Sequence, residues 1–429
     1  MNPALRLDDI LDPVAIRTAW DKVRSNRGAA GEDSVTIDDL EDCFGQYWPA
    51  VERAIRSGQY QPAPLRPVAI PKPSGGTRNL AIPSVVDRIV QQSLAAALSA
   101  RWEPVFPACS FAYRPGTGAA QALDAVMAAA GSFRQPIALR FDIRDFFDTV
   151  PHSLCASALA DTPCEAALTR LAMGAVAAPL ASAFGPRPRL AGIPQGSPLS
   201  PVMANIVLLP FDAKMVALPG TYVRYADDMM VLCGSEGEAA GALTLAGTGL
   251  AGLGLRLNEG KTAIQPLHDA AFLGCGFHLE RGSWVRKLPA ATLEACREHL
   301  RELAASGHSP VQLRQFLRQW AAYFLPAPED RFRHREFLTA VLAEFRLTAS
   351  GVPESDSPFS NRRGTAPPPG FQYNGGPAAS RHAWTRSAWA GRFLLRRIRF
   401  GLTFRRKGFL PVPSGLRINV MGHHFNFRF

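Results

Sequence analysis

From Ser357 to Phe429 the sequence contains no aspartate or glutamate. The same stretch holds 13 arginines and lysines, which leaves 34 basic against 36 acidic residues in the 356 before it. The formal charge of +11 therefore belongs to the tail and not to the body. With nothing to offset it, this charge calls for a polyanion partner, nucleic acid ahead of membrane. Cysteine is sparse: Cys43, Cys109, Cys155, Cys164, Cys233, Cys275 and Cys296 are scattered, no two stand at metal-ligand spacing, and their number is odd. They read as reduced thiols of a cytoplasmic protein. His423-His424 lacks a spaced partner and is not read as a metal site. Long apolar runs are missing as well. None approaches the roughly 18 residues of a membrane span, and acids enter the N-terminus early, at Asp8 and Asp9, where a signal peptide would be apolar.

What is present is ample: 429 residues, 47% hydrophobic and 19% charged, enough for two or three domains. Residues 14–24 have helical periodicity and stop at the glycine-rich 26–31; Thr36 opens another helix with a capping pattern. Residues 65–71 and 79–83 read as strands about a turn at 72–78, followed by a helix over about 84–100. A strand over 136–142, a hairpin at 221–233, a helix over about 236–253 and a short strand pair come next. Residues 309–324 form an amphipathic helix with serine at the cap and proline at its first position. Residues 350–370 have the composition of a linker.

The most telling segment is Tyr225-Ala226-Asp227-Asp228, at the tip of a strand–turn–strand pattern. Adjacent carboxylates repel, and nothing in the local sequence neutralises them. A hard divalent cation is the natural partner, and Mg²⁺ binds through one or two carboxylates plus substrate phosphates. Asp142 ends the apolar strand over 136–142 and offers a third carboxylate. Two metals about 4 Å apart can clamp both oxygens of an in-line displacement at phosphorus. A lone aspartate at a strand end is more often a turn or cap residue; the motifs around these three move the reading away from that.

Those motifs resemble the bacterial reverse transcriptases of the group II intron class. Ile193-Pro-Gln-Gly-Ser-Pro-Leu-Ser-Pro resembles the segment before that family's aspartate hairpin. Ala19-Trp-Asp-Lys-Val-Arg resembles its N-terminal extension, and Ile70-Pro-Lys-Pro-Ser-Gly-Gly-Thr-Arg78 its fingers hairpin. Ser110-Phe-Ala-Tyr-Arg-Pro-Gly116, Leu257-Asn-Glu-Gly-Lys-Thr262, Phe272-Leu-Gly-Cys-Gly-Phe277 and residues 313–324 follow in the family's order, so the resemblance covers roughly residues 15–325. It implies an α+β right-hand polymerase with fingers, palm and helical thumb; the basic C-terminal extension is read from composition and matches no family. The resemblance also implies two Mg²⁺ ions, with Mn²⁺ able to substitute, held by the catalytic Asp142, Asp227 and Asp228 and by the backbone of Ile143. Lys72, Arg78 and Lys261 would meet the triphosphate, by bidentate contact in the case of arginine. Phe147 would be a steric gate against the ribose 2′-OH, although Phe146 and Phe147 could both be core. Gln195 and Gly196 would flank nucleotide and template. Leu273, Gly274 and Phe277 match the primer grip, though Leu273 and Phe277 could equally be packing.

The implied organisation is an N-terminal extension (1–60), fingers and palm (61–280), a helical thumb or maturase-like region (281–347), a linker (348–378) and a basic aromatic extension (379–429). With all seven cysteines spent before residue 297, the Cys-containing nuclease of many group II intron proteins is expected to be absent. In the tail, Arg381, Trp384, Arg396, Arg397 and Arg399 suit RNA backbone and base stacking, with an amphipathic helix docked on the body as the competing reading. The expected reaction is RNA-templated cDNA synthesis from dNTPs. The expected template is a dedicated non-coding RNA, as in antiphage defence; the alternatives are intron-type retromobility and splicing, an RNA-binding scaffold, or template-independent synthesis.

Overall fold

In the computed structural model, residues 4–71, 77–325, 328–345 and 347 are described, with the backbone of 417–420 and 423–426. Lys72, the linker, and tail residues Arg381, Trp384, Arg396, Arg397 and Arg399 lie outside the described residues.

The strands β1 (Arg66–Pro71) and β2 (Thr77–Ile82) form an antiparallel pair by themselves. The centre of the molecule is a four-stranded antiparallel sheet. It is built from β3 (Ile137–Asp142), β4 (Thr221–Tyr225), β5 (Asp228–Cys233) and β6 (Ala263–Pro266) in the order β4-β5-β3-β6. All six residues of β5 are buried. Its unbroken apolar run has a simple cause: both faces of the sheet are covered. On one face Leu139, Phe141, Met229 and Val231 pack with Met203 and Phe211 of the Ser200–Val216 helix and Ala242 and Ala246 of the Glu236–Ala251 helix. On the other, Ala138, Val223, Met230 and Leu232 join a core with Ala122 and Val126 of the Ala119–Ala130 helix. That second core continues into a three-stranded sheet, β7 (Ala271–Phe272), β8 (Cys275–Glu280) and β9 (Ser283–Lys287), and into the helices Ala290–Ala305 and Pro310–Phe324. The strand pair expected after the Glu236–Ala251 helix is thus a fourth strand of the central sheet followed by a separate sheet.

Local chemistry accounts for several element ends. Thr36 and Asp39 form a reciprocal capping box at the start of the Ile37–Arg56 helix, and Ser309 and Gln312 repeat it before Pro310. Ser84 caps the Val85–Trp102 helix through the Asp87 amide. The last described strands, β10 (Arg417–Val420) and β11 (His423–Asn426), pair antiparallel. Among the described residues no helix is long and apolar enough to cross a membrane.

Candidate active site

Two residues, Ala226 and Asp227, turn β4 into β5, and Tyr225 pairs with Asp228 across the turn. Two-residue hairpins require a positive φ because only that twist matches the flanking strands. Ala226 supplies it at φ +59°, a conformation that costs an L-residue about 1 kcal/mol. Arg224 sits beneath this strained turn. Its side chain is fully buried, and Nη1 donates to the Ala226 carbonyl at 3.3 Å and to Asn205 Oδ1 at 2.9 Å. Nε and Nη2 grip both carboxylate oxygens of the equally buried Asp212 at 2.7 and 2.6 Å. The Tyr222 hydroxyl donates to that carboxylate at 3.0 Å, and Asn205 Nδ2 donates to the Ala112 carbonyl at 2.9 Å. One hydrogen-bonded network therefore joins the hairpin, the Ser200–Val216 helix and the segment leading into the Ala119–Ala130 helix.

The three aspartates meet at one end of the sheet. Register places Asp142 opposite Asp228 on adjacent strands, with Asp227 next to Asp228 at the hairpin tip. Like charges in opposed positions destabilise a sheet, and the effect registers on Asp227. Burial, then the charges of Asp142 and Asp228, push its carboxyl up to about 6. The sequence offered no nearby neutralising group; the fold brings two. Lys261 Nζ lies 2.9 Å from Asp142 Oδ2, and Arg140 Nη2 lies 3.6 Å from Asp228 Oδ1. Asn258 holds Asp142 twice, by its amide to the carbonyl at 2.8 Å and by Nδ2 to Oδ1 at 3.2 Å. Ile143 is buried and bridges Leu257; the flanking hydrogen bonds use the carbonyls of Asp142 and Arg256, not that of Ile143.

This all-oxygen donor set suits a hard divalent ion. Among the described residues, however, no group of three or more Asp, Glu, His or Cys side chains is placed to hold a metal ion. Paired carboxylates of this kind fit Mg²⁺ with the rest of its shell left to water and phosphate, which is how that ion is usually held.

On the neighbouring side, the fold separates the two phenylalanines. Phe146 is 1% exposed and belongs to the core, whereas Phe147 is half-buried, its ring edge-on to Phe146 at 5.4 Å. The Phe147 carbonyl accepts from the Ile193 amide at 2.7 Å, which brings it beside the Gln195 loop. Gln195 Nε2 reaches Asp148 Oδ1 at 3.4 Å, and its carbonyl accepts from the Ala81 amide of β2 at 3.0 Å. Gly196 is exposed at φ +142°, and a Cβ there would stand 2.9 Å from the Ala81 carbonyl oxygen, so only glycine fits. Arg78 is half-buried on β2, opposite Ile70. A cleft of about 320 Å³ opens between β1–β2 and this loop, lined among others by Val68, Asn79, Leu80, Asp148, Arg189 and Gln195.

Leu273 and Gly274 form the two-residue turn between β7 and β8, with φ of +52° and +82°. The Leu273 and Phe277 side chains are buried in the same core as Tyr225 and Ala226. The Gly274 carbonyl accepts from Thr292 Oγ1 at 2.9 Å. These side chains and the hairpin therefore share one core.

Sequence reading missed Arg140, Asn205, Asp212, Arg224 and Asn258 as individual contributors. The available signal was polarity out of place: Asn205 and Asp212 stand seven apart in an otherwise apolar helical run, and Arg140 and Arg224 interrupt apolar strands.

Comparison with known proteins adds the following. The family described as "Reverse transcriptase (RNA-dependent DNA polymerase)" matches residues 70–277. Protein YkfC of Escherichia coli (strain K12) is 28% identical over 351 residues, covering 71% of this chain and 91% of that protein. Group II intron-encoded protein LtrA of Lactococcus lactis subsp. cremoris is 27% identical over 217 residues, covering 50% of this chain and 36% of LtrA. A 91 kDa protein in the cob intron of Schizosaccharomyces pombe is 29% identical over 206 residues, covering 48% of this chain and 25% of that protein. The chain thus spans most of the first relative and a quarter to about a third of the two intron proteins.

Proposed function

Starting from a chain whose residues 70–277 are a reverse transcriptase domain akin to those of group II intron-encoded proteins, and which is therefore an RNA-directed DNA polymerase, we propose that it copies a structured partner RNA by metal-assisted phosphoryl transfer at Asp142, Asp227 and Asp228. The observation that carries this reading is the register that opposes Asp142 to Asp228 with Asp227 beside them. β1–β2 would act as fingers, the central sheet as palm, and the helices Ala290–Ala305 and Pro310–Phe324 as thumb.

Asp142, Asp227 and Asp228 would hold two Mg²⁺ ions, or Mn²⁺ in their place, with the Ile143 carbonyl as a further ligand. Bound there, the ions neutralise charge on the phosphates and on the attacking oxygen. Lys261 would be the exchangeable part of the arrangement. Its side chain is 55% exposed on a short turn and rests on Asp142, so an arriving triphosphate can draw it away and free that carboxylate. Asn258 keeps Asp142 in place while this exchange happens. Arg78 and Lys72 would meet the triphosphate from the fingers side. Phe147 would lie under the sugar, and the Gln195–Gly196 backbone against nucleotide and template. The primer 3′-hydroxyl would then attack the α-phosphorus, giving up its proton to solvent as the bond to pyrophosphate breaks. Leu273, Gly274 and Phe277 would support the primer through the core they share with the hairpin. The seven free thiols accord with a reducing, cytoplasmic setting.

Primer extension on an RNA template with dNTPs and Mg²⁺ tests the reading. Asp227→Ala should lower the rate by at least about a hundredfold, comparable to losing a main transition-state contact; retained activity would sink it. The template itself is identified by sequencing RNA that copurifies with the protein. A dedicated non-coding RNA, as in antiphage defence, is the first expectation. Intron RNA is the second, and it is favoured by the similarity to LtrA.

A further inference from the structure

Between the Ala166–Ala177 helix and the Gln195 loop the chain makes a small projecting hairpin. Leu180 and Arg187 exchange both backbone hydrogen bonds, at 2.9 and 2.7 Å. Its tip is stitched by Ser182, whose Oγ donates to the Gly185 carbonyl at 2.6 Å and accepts from the Phe184 amide at 3.3 Å. Its root is fixed to the chain entering β1: Leu65 donates to Pro179 and accepts from Ala181, both at 2.8 Å. The result is a firmly held loop that displays Phe184 with its ring fully exposed (102%), Leu190 at 90%, and the exposed Arg187.

Three observations select its occupant. Leu180, at the root, walls the cleft shared with Asn79, Leu80 and Gln195, so the hairpin adjoins the loop expected to flank nucleotide and template. Residues 166–211 contain no acid, and Arg170 and Arg187 are exposed there, so this stretch of chain favours a polyanion, although Asp148 lines the adjoining cleft. An aromatic ring on a rigid support, next to arginine, is the platform on which unpaired bases stack with little regard to sequence. A duplex, its bases already stacked on one another, has no free base face to offer.

We infer that the 180–187 hairpin is a docking platform for the unpaired RNA template strand just ahead of the catalytic centre, with Phe184 stacking on a base and Arg187 meeting the backbone. The inference rests on the polymerase reading above and adds a contact to it.

The test uses fluorescence anisotropy of the full-length protein with two labelled RNA-template/DNA-primer duplexes, one with an eight-nucleotide 5′ template overhang and one flush, in parallel with primer extension by the wild type and the variants on a two-nucleotide overhang. Phe184→Ala should weaken binding of the long-overhang duplex by between about five- and a hundredfold, the range for loss of one base–aromatic stack. It should leave flush-duplex affinity and two-nucleotide extension unchanged. Phe184→Trp should restore overhang binding, and Arg187→Ala should lower its salt slope by about one ion. Equal binding of the overhang by Phe184→Ala and wild type overturns the inference and assigns the hairpin to another partner, such as a protein. Equal losses on both duplexes also overturn it. Failure of the wild type to extend any primer would instead defeat the underlying reading.

Discussion

Replacing Asp212 by asparagine is the sharpest test of how the Asp227–Asp228 hairpin is held. The change is nearly isosteric, yet it removes the carboxylate that Arg224 grips with two nitrogens, at 2.7 and 2.6 Å, in a place where both side chains are 0% exposed. Asparagine has one acceptor oxygen for three donors, Arg224 Nε, Arg224 Nη2 and the Tyr222 hydroxyl, so its amide must face a donor. The guanidinium is left charged, buried and uncompensated. Breaking such a pair from one side costs about 3–5 kcal/mol, a large share of the roughly 5–15 kcal/mol that holds a typical domain. Urea titration should show this loss with an unchanged m-value. The double variant Asp212→Leu/Arg224→Met separates stability from positioning. Apolar replacement of a whole buried pair is often neutral, so stability should return to within about 1–2 kcal/mol of wild type. The Ala226 carbonyl and Asn205 would still lack their arginine donor. The strained turn would relax, and kcat at saturating dNTP should fall by at least about tenfold, since ångström-scale misplacement of a reacting group can cost about a hundredfold. A loss below about 1 kcal/mol in the single variant, or full kcat in the double variant, refutes the reasoning.

Three further outcomes are expected. Phe147→Ala, which trims a half-buried ring at the edge of the core, should lower the preference for dNTP over rNTP in kcat/KM by at least about tenfold, on the scale of a steric clash removed; an unchanged ratio rejects the gate. Gly196→Ala forces a Cβ to within 2.9 Å of the Ala81 carbonyl at φ +142°, so it should cost about 1–3 kcal/mol and raise KM for dNTP more than it lowers kcat; a neutral substitution would show that the loop moves freely. Burial pushes the Asp87 carboxyl up to about 6 despite hydrogen bonds from Tyr60, Ser84 and Ala63. Its protonated form is therefore favoured by folding: that stabilisation is full below the unfolded value of 3.8 and is lost as pH rises through 6, about 3 kcal/mol in all. Unfolding free energies measured in EDTA from pH 4 to 7 should decline, and Asp87→Asn should remove about half of that slope, because Asp227 is raised to the same value; an unaltered slope points to other groups.

What was legible in the sequence was local. Thr36 and Ser309 announce helix starts because a cap and its partner lie three residues apart. Asp227 and Asp228 announce a charge problem because they are adjacent. What was not legible depended on register or on distant partners. Lys261 neutralises Asp142 from 119 positions away, and Arg224 finds Asp212 only when β4 lies against the Ser200–Val216 helix. Phe146 and Phe147 are chemically identical neighbours, and only the direction of a four-residue helix sends one into the core. Leu273 could be a primer contact or packing from sequence alone, and only the fold shows its side chain buried in the core.

The two-sided burial of β5 has a consequence for anyone wishing to re-engineer this polymerase. Every side chain from Asp228 to Cys233 is enclosed, so the strand that aims the carboxylates offers no position where a substitution is felt by the substrate but not by the packing. Changes in speed, fidelity or heat tolerance must be sought at one remove, in the loops that dock onto the sheet's catalytic end. The sheet itself is best treated as a fixed instrument mount, and its periphery as the adjustable optics.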